Sequence, residues 1–265
     1  AAITLVDANS LALGNVTATG KLDATAADSL DLAGTVSAQS LNLQATEGDI
    51  TQSAGTLTVT TGPTDLKAGG SITLNQANDF NGAVNVSGAT NVTLNDTDDL
   101  TLGSVTATGN LNATAATDLG LNGDVSADSL DLTATAGEIN QTAGKLSVAT
   151  GPTNLTAGTN ITLNSADNDF NGTLNANGDN IALTDGTGGL TLGDITAGGT
   201  FAATSTGGAI DQAADTTIAV TGETTGTASD AGSAANITLD GATNDFSSVN
   251  ADGNTVKIRD VNELD

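Results

Sequence analysis

The chain has 265 residues, with 31 acidic against five basic side chains, a formal net charge of −26, and no Cys, His, Met, Trp or Tyr. Without Cys or His there is no disulfide framework, no thiolate chemistry and no Ser–His or Cys–His nucleophilic triad. An acidic surface of this kind repels nucleic acids and anionic lipid headgroups, and no run of about eighteen apolar residues is present to insert in a bilayer.

High charge with low complexity usually marks disorder, because such chains cannot bury enough apolar surface to offset ordering entropy. Here Leu, Val and Ile recur at regular intervals throughout, so the sequence reads as ordered. In chain order, Ala1-Ala2-Ile3-Thr4 opens on strand-like sequence without Met or a charged leader, as expected of a processed product or a piece of a longer chain. Aliphatic residues then alternate with polar ones, as in Leu11-x-Leu13, Leu41-x-Leu43, Leu57-x-Val59 and Ile72-x-Leu74. That period of two predicts short half-buried strands. Between them stand Gly14-Asn15, Gly34, Gly69-Gly70 and Asn122-Gly123, expected to supply the positive φ angles of tight corners. No stretch of helix length shows a helical period.

The spacing is itself periodic. Leu11 to Leu30, Leu13 to Leu32 and Leu22 to Leu41 are each 19 residues apart, Ile50 to Ile72 is 22, and Ile72 to Val92 is 20. Residues 11–46 return as residues 100–135 with every Leu and Val coinciding at an offset of 89, and the match continues from Ile50 against Ile139. Asn78-Asp79-Phe80 returns one residue late as Asn168-Asp169-Phe170. A third copy follows from Leu190 at an offset of 90, but Ile210-Asp211-Gln212 matches Ile139-Asn140-Gln141 at 71, so 19 residues are missing while the register survives. Losing one unit without scrambling its neighbours is what stacked, quasi-one-dimensional architectures tolerate.

These features predict an all-β fold: a single-stranded parallel β-helix, or β-solenoid, with coils of 19–22 residues. We expect one domain over residues 1–265, with internal blocks at roughly 11–99, 100–189 and 190–265. At a strand spacing of about 4.8 Å, roughly thirteen turns would make a rod about 60 Å long. A narrow interior accommodates Leu, Val, Ile and Ala, in keeping with four Phe as the chain's whole aromatic content. Residues 221–236 carry no large aliphatic side chain and are expected to bulge as a surface loop. The offset of 89 is no multiple of 19, and the Leu series steps by only eight residues from Val92 to Leu100, so spacing alone leaves some coil boundaries open.

Units such as LTLGSVTATGNLNATA, GEINQTAGKLSV and AGTNITLN resemble the repeat region of filamentous haemagglutinin-type proteins. Those are the large exoproteins of two-partner secretion in Gram-negative bacteria, and the resemblance extends over essentially the whole chain. It implies a right-handed coil, secretion to the bacterial cell surface through an outer-membrane partner, and work as an adhesin, biofilm scaffold or toxin-bearing stalk. The family's secretion domain, with its Asn-Pro-Asn signature, does not lie within these residues, and neither an Arg-Gly-Asp tripeptide nor a basic patch occurs.

Four constellations invite a chemical reading. Acidic clusters at Asp96, Asp98 and Asp99, at Asp167 and Asp169, and over residues 260–265 offer oxygen ligands to Ca²⁺, yet none matches a known calcium-loop pattern, and a solvated corner is the simpler reading. Asn-Asp-Phe, ending at Phe80, Phe170 and Phe246, reads as a turn that delivers a large side chain inward rather than as a recognition epitope. Thr pairs such as Thr17/Thr19, Thr58/Thr60 and Thr106/Thr108 are too irregular for an ice-binding array and suit exposed strands. Paired carboxylates permit acid–base work on polysaccharides in principle. That chemistry also wants cationic stabilisers and aromatic platforms, and only Arg259 and four scattered Lys are present. The sequence therefore assigns no catalytic, cofactor-binding or metal residue and no cofactor, and the expected function is a non-enzymatic structural or adhesive rod. Its expected partners are a host or neighbouring cell surface and flanking repeats of its own kind. The alternative is a filament subunit stacking end to end through uncapped coils, with the charged residues 256–265 as a partial cap or joint.

Overall fold

The computed structural model describes residues 1–262 and 264. Among them all regular structure is β, without a helix, and parallel strands stack in about 13 coils as a β-solenoid. Contacts group the chain into two compact units, Ala1–Asp128 and Ser129–Asp265.

In the first unit the expected register holds residue by residue. Leu11 stacks under Leu30 and Leu22 under Leu41, each 19 residues on, while Ile50 pairs with Ile72 and Ile72 with Val92. Each lower coil has two sides. One is a single long strand, as in Lys21–Ala26 and Ser40–Ala45; the other is a pair of short strands, as in Leu30–Ala33 with Val36–Ala38. Along Lys21–Ala26 the alternation buries Leu22, Ala24 and Ala26 and leaves Asp23 and Thr25 half-buried on the outside, the pleat's period of two.

Partway up, the two sides exchange roles. On the paired side, the nine-residue strand Ile72–Phe80 spans both short strands below it, and one strand, Val92–Asp96, lies above. On the long side, Leu100–Ala107 sits over the single strand Val84–Ala89 and carries two strands above, through Leu100↔Leu119 and Val105↔Val125. This exchange resolves the odd offset of 89. The long-side stack runs Leu22, Leu41, Thr64, Val84, Leu102, whereas Leu111, the duplicate of Leu22, stacks on Val92 on the opposite side. Successive copies thus differ by a whole number of turns plus a change of side.

The second unit contains the same exchange. Ile181–Asp185 joins the paired side, and Leu190–Ala197 parts the long side into Ile210–Gln212 and the start of Ile218–Asp230. Leu190 pairs directly with Ile210, so the third copy lacks one whole coil, which includes the counterparts of Leu119–Asn122 and Val125–Ala127.

Two expectations need correction. The glycines expected at positive φ do not adopt it: positive φ falls at Gly55, Gly88, Gly144, Gly188, Gly189 and Gly232 instead. At most of the expected positions Gly is needed because coils approach closely. A Cβ on Gly34 would lie 2.7 Å from Asn15 Oδ1, on Gly69 2.5 Å from Thr46 O, and on Gly123 2.6 Å from the Gly103 carbonyl carbon. The predicted loop at residues 221–236 is largely strand. Residues 224–228 lie in register between Phe201–Ser205 and residues 249–252, with Thr224, Gly226 and Ala228 facing inward. They are small because Phe201 stacks beneath Thr224 and a Cβ on Gly226 would already touch Ile237. The projection shrinks to a hairpin, Ser229↔Ala234 and Asp230↔Ser233, turned by Ala231 and Gly232 at positive φ.

Thr64 and Thr153 occupy inward positions, Thr64 between Leu41 and Val84, and their Oγ1 atoms are buried without a hydrogen-bond partner. A stranded hydroxyl costs desolvation that a methyl group does not. Thr64→Val and Thr153→Val should therefore each stabilise the fold by about 1 kcal/mol, measured by chemical denaturation. Destabilisation by either would contradict this packing.

Candidate functional site

The chemistry-bearing residues form two systems, one buried and one on the corners. The buried system is a clasp at each place where two short strands become one. In the first, Asn78 Oδ1 accepts from Gln52 Nε2 at 2.7 Å and from the Leu57 N–H at 2.9 Å. Asn78 Nδ2 donates to Gln52 Oε1 at 3.0 Å and to Leu74 O at 3.1 Å, while Gln52 Nε2 also reaches Gly55 O at 3.3 Å. Gly55 has φ +75°, and a Cβ there would stand 2.3 Å from the Gly34 carbonyl carbon, so this corner admits only Gly. Two residues on, Phe80 turns into the core and its N–H donates to Asp96 Oδ2 at 3.0 Å.

The clasp is built three times. Gln141 and Asn168 exchange bonds of 2.8 and 2.9 Å and capture the Leu146 N–H; Gln212 and Asn244 exchange two of 2.8 Å and capture the Ile218 N–H. Phe170 then donates to Asp185 and Phe246 to Asp260. The expectation that Asn-Asp-Phe delivers Phe inward holds, but the tripeptide is not itself a turn. Asn78-Asp79-Phe80 ends the strand Ile72–Phe80, and Asp169–Phe170 and the start of Asp245–Asp252 are strand, with a turn just before them. Sequence reading missed the partners Gln52, Gln141 and Gln212 and the aspartates that follow each Phe by 16, 15 and 14 residues. The return of a Gln at the repeat offset was the available signal.

Burial pushes the Asp96 carboxyl above its usual range, with the Asp98 and Phe80 N–H groups pulling it back. Asp185 is pushed further, to about 6, chiefly by burial, with Asp169 adding to the rise.

The corner system is a set of ladders. Ser29 N–H donates to Ser10 Oγ at 3.4 Å, Asp49 N–H to Ser29 Oγ at 3.2 Å, and Ser71 N–H to Asp49 Oδ1 at 2.7 Å. In the second unit Asn160 and Asn180 pass the same bond upward to Thr200. Along the long side, Asn42 donates to Asp23 at 3.0 Å and Asn85 to Asp65 at 2.9 Å, so an amide stacks against each carboxylate where two carboxylates would repel.

Several members of the acidic clusters belong to these two systems. Asp96 and Asp260 each accept two backbone N–H bonds, and Asp99 takes the Thr117 hydroxyl and the Asp118 N–H, which hold its carboxyl below its usual range. Asp169 accepts from Asn171 at 2.9 Å. Glu263 and Asp265 of the last cluster lie outside the described residues. No group of three or more acidic side chains among the described residues is arranged to hold a metal ion. The Thr positions form no array either: Thr17 stacks under Ser37, then Thr58, then Asp79. Shallow grooves of about 250 Å³ by Asn42, Asp65 and Lys67 and about 340 Å³ by Thr196, Thr221 and Asp245 open on the surface.

A family model described as "Repeats of unknown function (DUF5649)" matches residues 25–87, 89–126, 114–177 and 178–252, most of the chain. No curated protein and no solved structure matches it.

The clasp predicts strong coupling. Gln52→Ala or Asn78→Ala alone strands a buried amide and should cost about 2–4 kcal/mol. The double variant should cost less than the sum by at least about 1 kcal/mol. Strict additivity in a double-mutant cycle would remove the clasp as a unit.

Proposed function

The chain belongs to the family of repeats of unknown function DUF5649, and from that premise we propose that it is a structural scaffold without enzymatic activity or cofactor. The observation that carries this reading is where its polar side chains are spent. The buried ones clasp strands together, and many corner ones hold the backbone of the next coil. Little is left converging on a groove in the manner of a reaction centre, where a nucleophile, a base and a charge stabiliser must meet.

The finer reading is a stalk or adhesive segment of a large secreted exoprotein at a bacterial cell surface, exported through an outer-membrane partner and touching a host or neighbouring cell. Its support is the likeness of the repeat units to filamentous haemagglutinin-type proteins, the absence of Cys, and a net charge of −26 that keeps a long polar surface soluble. A second reading, end-to-end assembly into filaments, draws on the stacking itself, in which parallel strands of one coil pair in register with those of the next, a pairing that a further copy could extend.

Surface proteolysis of intact cells, negative-stain microscopy of the purified chain and incubation with polysaccharides test these readings together. We expect release of the chain by external protease, short unassembled particles, and no release of oligosaccharide. Long filaments would favour the second reading, protection from external protease would remove the surface location, and glycan turnover would overturn the scaffold.

A further inference from the structure

Three aspartates close the three clasps, and one of them is built differently. Asp96 uses both oxygens, accepting from Phe80 and Asp98, and Asp260 likewise accepts from Phe246 and Asn262. Asp185 accepts from Phe170 on Oδ1 at 2.9 Å, but its Oδ2 is buried without a partner. The cause lies in the turn that follows. Three residues separate Asp96 from Leu100, but four separate Asp185 from Leu190, where Gly186, Gly188 and Gly189 lengthen the turn. Gly188 and Gly189 take positive φ, and the Thr187 and Gly189 N–H groups, though they pull the Asp185 carboxyl back toward its usual range, do not close a bond on Oδ2.

The next coil differs at the same place. Above Asp96 stands Ala115, and above Asp185 stands Ser205, whose Oγ is also buried without a partner. Two orphaned oxygens in register on neighbouring parallel strands lie one coil apart, about 4.8 Å, within reach of a rotamer change. Two acceptors cannot satisfy each other unless one carries a proton. A serine hydroxyl can do so toward a carboxylate, but a carboxylate this buried and lacking any cation is costly. The strands packed on Ile181–Asp185, namely Ile161–Leu163, Thr173–Gly178 and Phe201–Ser205, carry no charged residue. Asp169, which faces the site, is itself acidic, and Asp194 on Leu190–Ala197 is engaged by the Thr217 N–H.

We infer that Asp185 is held as a neutral carboxylic acid whose Oδ2–H donates to Ser205 Oγ, making the side exchange of the second unit a more pH-sensitive joint than its counterpart at Asp96, whose two oxygens both accept backbone N–H bonds. The sign follows from linkage. A folded-state acid that keeps its proton above the unfolded value contributes stability that is complete at low pH and is lost as pH rises through the folded-state titration. The upward displacement of Asp185 to about 6 places that loss between about pH 4 and pH 7.

Carbon-13 NMR of the aspartate carboxyl carbons across pH 3–8, on wild type, Asp185→Asn and Ser205→Ala, tests the pair. The wild type should show one carboxyl titrating near neutrality, absent from Asp185→Asn, and the thermal midpoint of wild type should fall more steeply above pH 5 than that of Asp185→Asn. Ser205→Ala should lower the late titration by about 0.5–1 unit, the equivalent of one lost hydrogen bond to the acid. A rise in Ser205→Ala would show the hydroxyl donating to a carboxylate and would overturn the proposal. So would full ionisation of every aspartate by pH 5. If Asp185→Asn does not fold, the direction of the shift in Ser205→Ala decides alone.

Discussion

Each coil of this protein is a strip of backbone whose N–H and C=O groups point along the stack, so a coil is satisfied only by the register of the next one. Almost every other feature answers to that constraint. Because equivalent residues stack about 4.8 Å apart, any side chain is placed against its own counterpart one turn away. Like charges in such a column repel and bulky corners collide. Asn or Ser interleaves with Asp along the ladders, and glycines lie where one corner rides directly on another, as at Gly34 above Asn15. A chain with a net charge of −26 can stack in this way because the charges are spaced by amides and hydroxyls.

The exchange of sides is where the constraint is hardest to meet. A long strand cannot lie over two short ones without leaving the corner between them unpaired, and a buried unpaired amide costs about 1–3 kcal/mol. The Gln–Asn clasp supplies those bonds from side chains, capturing the Leu57, Leu146 and Ile218 N–H groups at 2.9 Å in each case. At the opposite change, where one strand parts into two, Gly103 and Gly193 let Asn85 and Asn175 reach the next backbone N–H; a Cβ on either glycine would lie 2.1 or 2.0 Å from the amide oxygen. A fully bonded polar cluster in an otherwise apolar interior also discriminates against slipped registers, since any slip would strand its members.

The same constraint shapes the functional reading. Many side chains that would elsewhere converge on a pocket are committed to neighbouring coils, and Leu, Val, Ala and the four buried Phe fill the interior. What such a chain offers is extent, repetition and a polar exterior. Those properties suit the proposed scaffold.

The coil length, the parallel stacking, the strand alternation and the inward turn of Phe80, Phe170 and Phe246 were legible in the sequence, because each depends on residues a few positions apart or on a spacing that simply recurs. The partners of Asn78 and Phe80, 26 and 16 residues away, were not, because nothing local distinguishes Gln52 or Asp96 from outward polar residues. Nor was the strand at residues 224–228, whose small inward side chains make sense only against Phe201 and Ile237. Sequence by itself determined that the chain winds and how much of it makes a turn. Only the tertiary structure decided which side of the coil each repeat occupies, since that depends on where a buried amide finds a donor one coil away.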